Sequence, residues 1–316
     1  MTCTPGATGV ARLRKAEPSE ADALQGIWEA SNAVDDPASR SRGGWSVAAW
    51  ATATRVLEVN GQLIGVVAVR AERSPDGAMP ARVALEVAAR QASYAALLVH
   101  CAIDLIREAR GQVARLFVPS SAEWMRESAR SAGFQPVRTI AHMLLPYSAP
   151  TPSPGHVDGL RIRAMRAAED QAVLDALNRN WAGTWNFVEI PLEMLREDLD
   201  GQRAGMLLGV DSADRIIATC HAVYEPTEQN PDGNPLAWIS NLTVDPAHRQ
   251  RGVARMMLAA GLQYLRSRGA RSITLGVDAD DPAPFGLYQS VGFRVWTSQE
   301  AWDKALSAAK TTRLGT

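Results

Sequence analysis

The stretch "HRQRGVARMML", His248 to Leu258, decides how the second half of this chain is read. A basic, polar segment becomes apolar across a single glycine. Ahead of it, "LAWISNLTV", Leu236 to Val244, reads as a buried strand, and "DPAHRQ" as a turn. Behind Gly252, the apolar residues Val253, Met256, Met257, Ala260, Leu262 and Leu265 recur at helical spacing. The helix closes at Gly269, after Arg266 and Arg268. Arg249 to Ala254 therefore lies between a strand and a helix N-terminus. Backbone N–H groups there lack intrahelical partners, and the helix dipole is positive. A phosphate fits such a place, and glycine lets the backbone approach it closely. Arg249, Arg251 and Arg255 add positive charge. A basic surface turn can look the same, so the neighbouring segments must decide between the two.

Composition narrows the classes. The chain has 316 residues, enough for two domains with their own cores, and a net charge of -1 that gives no reason to expect nucleic acid. Cys3, Cys101 and Cys220 are too far apart for a disulfide framework or a CxxC metal site, so no metal is expected. "MTCTPGATGV" lacks the charge and apolar run of a signal peptide, and no long apolar run predicts a membrane span. A cytoplasmic location is the expectation.

A proline-rich stretch, "PYSAPTPSPGHVDG" (Pro146 to Gly159), reads as an extended connector between halves of similar length. The halves then repeat in order. "RLRKAEPSEADALQGIWEASNA" from Arg12 parallels "RIRAMRAAEDQAVLDALNRNWA" from Arg161 as strand then helix. "VLEVNGQLIGVVAV" parallels "MLLGVDSADRIIATCHAV" as two strands around a polar turn, and "ARSAGF" parallels "YQSVGF". The pattern predicts a tandem duplication of one α/β unit. The expected divisions are a first domain over 1–148, a linker over 149–158 and a second domain over 159–316.

The context of Gly252 now counts. "SITLGV" reads as a strand; "DADDPAPFGLYQSVGF" then carries a short helix with Leu287 and Tyr288, and "FRVW" a last strand. Strand, "LTVDPAHRQRGVARMML", strand and "LYQSVGF" in this order resemble the GCN5-related N-acetyltransferase (GNAT) family. The resemblance covers the second half fully and the first half weakly. It implies α/β mixed sheets, with two tandem domains packed as a pseudo-dimer in a monomer, or a homodimer. It also implies acetyl-CoA, or another acyl-CoA, as co-substrate. By position, Arg249, Gln250, Arg251, Gly252, Val253, Ala254 and Arg255 would hold its pyrophosphate. Backbone groups of Leu242, Thr243 and Val244 would hold the pantetheine arm and polarise the acyl carbonyl. Tyr288 falls on the family's general-acid position, donating a proton to the thiolate leaving group. Two positions depart from the pattern: Asp281 stands for the usual Asn and Pro284 for the usual Ala, so Asp281 is expected near the cofactor.

The base is less legible. Family members often carry Glu six residues before the Val of "VDP"; here it is Trp238. A second frequent site, on the strand before the "LY" helix, is Gly276. His221, Glu225, Asp278, or a water held by Ser240 and Asn241 are the remaining candidates. On the acceptor side, Trp181, Trp185 and Phe187 crowd a loop between two helices. With Trp238 they predict an aromatic wall for a small-molecule amine, although packing of that loop on the core explains them as well.

In the first half, aligning Gly111 with Gly269 puts Tyr94 opposite Gly252, and aligning the two "GF" pairs puts Ala129 opposite Tyr288. That half is expected to keep the fold and lose cofactor binding. Length and layout also resemble mycothiol synthases, whose strand Glu corresponds to Trp238 and whose first half keeps a glycine loop. A non-catalytic acyl-CoA sensor remains the reading from another class. A Walker-type nucleotide loop is disfavoured by the single glycine.

Overall fold

The computed structural model describes residues 11–38, 53–70, 73–229 and 233–306. The readings made on Met1 to Val10, Cys3 included, lie outside the described residues. Two compact units emerge, Met1–Thr139 with Ser298–Thr316, and Ile140–Thr297.

In the first unit the strands run β1 (Ala11–Lys15), β2 (Ala53–Val59), β3 (Gln62–Val69), β4 (Ala78–Leu85) and β5 (Val113–Pro119). Helix α1 (Ala21–Asp35) covers one sheet face, and α2 (Ala92–Glu108) and α3 (Glu123–Ser131) the other. Neighbouring strands are antiparallel except β4 and β5, which α2 joins in parallel. Strand β6 (Gln135–Leu145) starts in this unit and ends in the next.

The second unit repeats the plan. Its strands are β7 (Arg161–Ala164), β8 (Met206–Val210), β9 (Ile216–Gln229), β10 (Pro235–Val244) and β11 (Ile273–Asp278). Helices α4 (Asp170–Trp181) and α5 (Leu192–Leu199) pack on one face over Leu208, Val210 and Met206. Helices α6 (Val253–Ser267) and α7 (Pro282–Val291) pack on the other over Ala218, Cys220, Ala237, Ile239 and Leu275. Between their register shifts, alternation along β9, β10 and β11 sends successive side chains to opposite layers. Among the described residues of this unit, only β10 and β11 pair in parallel, across the α6 crossover.

Each sheet closes on a strand from the other half of the sequence. Residues Ile140 to Leu145 of β6 pair antiparallel with β11. Residues Gln299 to Ala305 of β12 (Arg294–Ala305) pair antiparallel with β5. The proline-rich stretch has no helix or strand, yet it is not a free spacer. Ala149, Val157 and Leu160 pack on the α6 cluster, and Arg266 donates to the Pro146 carbonyl (2.8 Å).

Candidate active site

The site begins where β10 and β11 part. They pair at Trp238 and Thr274. Beyond that point β10 stays with β9, through Thr243 opposite Thr219 and Val244 opposite Ala218. β11 instead follows β6, with Gly276 opposite His142 and Asp278 opposite Ile140. A bulge lies in β10 between Ser240 and Thr243, where Asn241 takes a left-handed φ of 46°. The bulge is held by one directed chain of hydrogen bonds. Thr219 Oγ1 donates to the Asn241 carbonyl (2.7 Å), so it accepts from Thr243 Oγ1 (2.8 Å). Thr243 in turn accepts from Asn180 Nδ2 (3.0 Å). All three side chains are buried, so the bulge is fixed from beneath. A gap with backbone groups on its β10 wall suits an extended, amide-bearing arm.

From Val244 the chain enters the arginine-rich loop. Asp245 caps a short 3₁₀ turn, Pro246–His248, by accepting from Ala247 N (3.0 Å). Four residues, Arg249 to Gly252, then lead to α6. Gln250 (φ 60°) and Gly252 (φ 81°) are both left-handed, so the backbone reverses hand twice, the kind of alternation from which anion-binding nests are built. Space for a Cβ at Gly252 is open, but its φ disfavours any L side chain. Val253 is buried and Ala254 packs on the core, so only their backbone faces the loop. Arg251 is exposed without an ion pair among the described residues, and Arg255 donates to Ser290 Oγ on α7 (2.8 Å). Arg249 departs from the expectation of a phosphate ligand. Its guanidinium donates to the carbonyls of Val244 (3.2 Å) and Asn180 (2.8 Å), bracing the end of α4 against the end of β10.

The first unit shows what this loop is in its shorter form. There only two residues, Arg90 and Gln91, separate the 3₁₀ turn Val87–Ala89 from α2. Arg90 repeats the brace on the Ser31 carbonyl (3.4 Å), and its charge meets the buried Asp35 carboxylate (2.6 Å). Gln91 is the N-cap and is extended (φ -108°). This corrects the alignment of Tyr94 with Gly252. Tyr94 sits inside α2 against the core, and Arg249 corresponds to Arg90 rather than Gln91. The left-handed residue that closes α2 is Arg110 (φ 58°), the counterpart of Gly269 (φ 96°), so aligning Gly111 with Gly269 slipped the register by one residue, and α2 begins two residues earlier than α6 does.

Tyr288 lies on α7. Asp281 is the N-cap of that helix and accepts from Ala283 N (3.1 Å), with Pro282 in the first turn. The Asp281 carboxylate thus serves its own helix. Tyr288 is 8% exposed and meets Phe293 edge-on at 5.9 Å. Burial, with the Cys220 thiol nearby, pushes its phenol above the ordinary tyrosine range, so it carries its proton at neutral pH. The backbone around it matches Ala129, since Phe293 N donates to Tyr288 O (3.1 Å) and Phe134 N to Ala129 O (3.0 Å).

The opposite sheet face carries Trp238, Ser240, His221 and Gly276. His221 is 2% exposed; its Nε2 has no partner, and desolvation lowers its pKa to about 4. Gln202 accepts from Tyr224 N (3.1 Å) and donates to Tyr224 O (3.1 Å) and Glu225 (2.7 Å), so Glu225 is engaged. Asp278 accepts from Asp280 N (3.0 Å), shaping the turn after β11. Trp181 is half-buried and packs on the α4–α5 cluster with Ile190 and Leu192. Trp185 and Phe187 are half-buried and belong to none of the buried clusters among the described residues. Their loop is clamped by Asn178, which donates to Ile190 O (3.1 Å) and accepts from Ile190 N (2.9 Å). Sequence reasoning missed His142. It lies in the first half of the chain, and only the register of β6 brings it beside Gly276.

Residues 170–293 match the acetyltransferase (GNAT) family. Among curated relatives, a mycothiol acetyltransferase of Thermobispora bispora is 29% identical over 59% of this chain and 64% of that protein. A mycothiol acetyltransferase of Salinispora arenicola is 30% identical over 55% of this chain and 57% of that protein. The chain thus spans less than two thirds of the length of these relatives. Among solved structures, a GCN5-related N-acetyltransferase from Sphaerobacter thermophilus superposes with a TM-score of 0.68 at 19% identity, covering 93% of this chain and 95% of that one. A tandem GNAT protein from the clavulanic acid biosynthesis pathway does so at 0.66 and 16% identity, covering 94% and 98%.

Proposed function

Residues 170–293 form a GNAT-family acetyltransferase domain, and from that premise we propose that the chain transfers acetyl from acetyl-CoA to the amine of a small molecule. The observation that carries the reading is the loop Arg249 to Gly252, with its two left-handed residues at the start of α6, directly beside the gap between β10 and β11. The pyrophosphate meets the N–H groups of the loop and the helix dipole, with Arg251 and Arg255 supplying charge. Backbone groups of Leu242, Thr243 and Val244 take the pantetheine arm, and the bulge at Asn241 turns a backbone group toward the acyl oxygen. The amine attacks from the Trp238 face, and the C–S bond breaks toward the α7 face. There Tyr288 gives its proton to the departing thiolate. Neutral His221 accepts a hydrogen bond from the acceptor, and Trp185, Phe187 and Trp238 line its apolar side. Asp281, spent on its own cap, acts only through the position of α7.

Calorimetry with acetyl-CoA and thiol release across a panel of primary amines test the reading. The expected result is one binding event and turnover of at least one amine. Tyr288→Phe then lowers kcat by about 10²-fold with acetyl-CoA affinity kept, on the usual scale for a lost general acid. Binding without any turnover favours the sensor reading instead. A second enzyme reading follows from the names of the relatives, which are mycothiol acetyltransferases. Mycothiol lacking its acetyl group therefore belongs in the amine panel.

A further inference from the structure

The bulge in β10 rests on three buried side chains, each spending a hydrogen on the next. Asn180 Nδ2 donates to Thr243 Oγ1 (3.0 Å), Thr243 to Thr219 Oγ1 (2.8 Å), and Thr219 to the Asn241 carbonyl (2.7 Å). The far end of this chain is tied to the arginine-rich loop, since Arg249 donates to the Asn180 carbonyl (2.8 Å). A trans peptide is planar, with its C=O and N–H pointing opposite ways. Thr219 belongs to β9, so its hold on the Asn241 carbonyl turns the N–H of the same peptide, that of Leu242, away from β9 and toward the side of the gap. The first unit provides the contrast. Ala84 stands six residues before Arg90 as Thr243 stands six before Arg249, and it pairs with Val66 as Thr243 pairs with Thr219. Val66 and Ala84 are apolar and buried, and β3 and β4 pair around them without a register shift. Ser31 takes the place of Asn180, as the residue whose carbonyl the loop arginine reaches. Among the described residues, bulge and polar chain thus occur together in the second unit and are missing together from the matching strand pair of the first.

We propose that Thr219, Thr243 and Asn180 are positioning residues of the acetyl transfer, which hold the Leu242 N–H on the thioester oxygen and link that donor to the loop that takes the pyrophosphate. The inference rests on the acetyltransferase reading above. As the amine's lone pair forms the N–C bond, the carbonyl π pair moves onto oxygen, and an N–H already in place meets the new charge without reorganising. The carbonyl re-forms as the C–S pair leaves with sulfur, which takes the Tyr288 proton. Solvent takes the surplus proton of the nitrogen and returns one to Tyr288. The left-handed φ of Asn241 is unfavourable for a residue with a side chain, so the peptide keeps this orientation only while it is held. Each hydrogen of the chain has one acceptor, so loss of the Thr219 hydroxyl releases the carbonyl above it. Valine and alanine, at the same two positions of the first unit, can make no such bond.

The test uses the whole chain, with the Kd of acetyl-CoA by calorimetry and thiol release for the fastest primary amine of the panel. Thr219→Val keeps the shape of the side chain and loses its hydroxyl. It is expected to lower kcat by about tenfold or more, with the Kd of acetyl-CoA within threefold of the parent. Thr219→Ser, which keeps the hydroxyl, is expected to recover kcat to within threefold. Infrared difference spectra with acetyl-CoA isotope-labelled at the thioester carbonyl read the donor directly. The carbonyl band of the bound cofactor is expected to rise in frequency from the parent to Thr219→Val and to return in Thr219→Ser. Loss of packing alone would lower Tm and leave that band in place. If Thr219→Val does not fold, Thr219→Val with Thr243→Ala installs the pair with which the first unit folds. A folded variant without the Thr219 hydroxyl that binds acetyl-CoA and leaves the band unmoved overturns the proposal, and so does one that keeps kcat within threefold. A drop in kcat that Thr219→Ser fails to recover overturns it as well. In a parent that binds acetyl-CoA without turnover, the band decides alone. If the parent chain does not bind acetyl-CoA, the acetyltransferase reading fails first, and this inference falls with it.

Discussion

His221 shows how burial sets a residue's chemistry. Its pKa is about 4 because the imidazolium would have to leave water for a dry sheet face. The folded protein therefore holds it neutral, while the unfolded chain protonates it near the ordinary 6.5. Stability is unaffected above that value and falls as pH drops from about 6.5 toward 4, by up to roughly 3 kcal/mol. Thermal melts at pH 7 and pH 4.5 check this. His221→Leu is expected to show a smaller loss between the two than the parent. Tyr288 is the contrasting case. Burial keeps its proton on, which is the form an acid needs, and its residue type was legible from "LYQSVGF". The depth of its burial was not, because that depends on α7 lying against Phe293 and Cys220.

At the scale of elements, the loop before α6 separates two jobs that the sequence merges. Gly252 serves conformation: its φ of 81° costs an L residue about 1 kcal/mol or more. Since an added Cβ meets nothing there, Gly252→Val is expected to fold with a small drop in Tm. Its acetyl-CoA affinity should fall at least tenfold by calorimetry. Arg249 serves architecture. Arg249→Met removes two charge-assisted bonds to carbonyls and is expected to lower stability by about 1–3 kcal/mol in denaturant melts. The loop's position and its glycine could be read from "HRQRGVARMML". The inward turn of Arg249 could not, since its partners Asn180 and Val244 come together only when α4 docks beside β10.

On the scale of the whole chain, the duplication is expressed unequally. The first unit has a two-residue loop at α2 where the second has four, and Ala129 where the second has Tyr288. One acetyl-CoA per chain is therefore expected, and two comparable sites by calorimetry would refute it. The last of the described strands also works in the first unit. Asp303 of β12 and Asp76 both pair with Arg115 of β5, which is 1% exposed. Asp303→Ala removes one of the two carboxylates paired with that buried guanidinium. A loss of about 1–3 kcal/mol in a thermal melt is expected, below the cost of an unpaired buried charge because Asp76 remains.

The sequence by itself determined the local features: helix and strand periods, the glycine that opens α6, the short helix bearing Tyr288 and the order of repeated elements. Each is encoded in a window of a few residues through side-chain spacing and backbone preference. Tertiary structure decided which strand closes each sheet, that the proline-rich stretch lies against α6, and that His142 faces Gly276. Strand pairing is a contact between segments far apart in the chain. Its register depends on two faces matching at once, and no local pattern in "RTIAHMLL" names β11 as the partner.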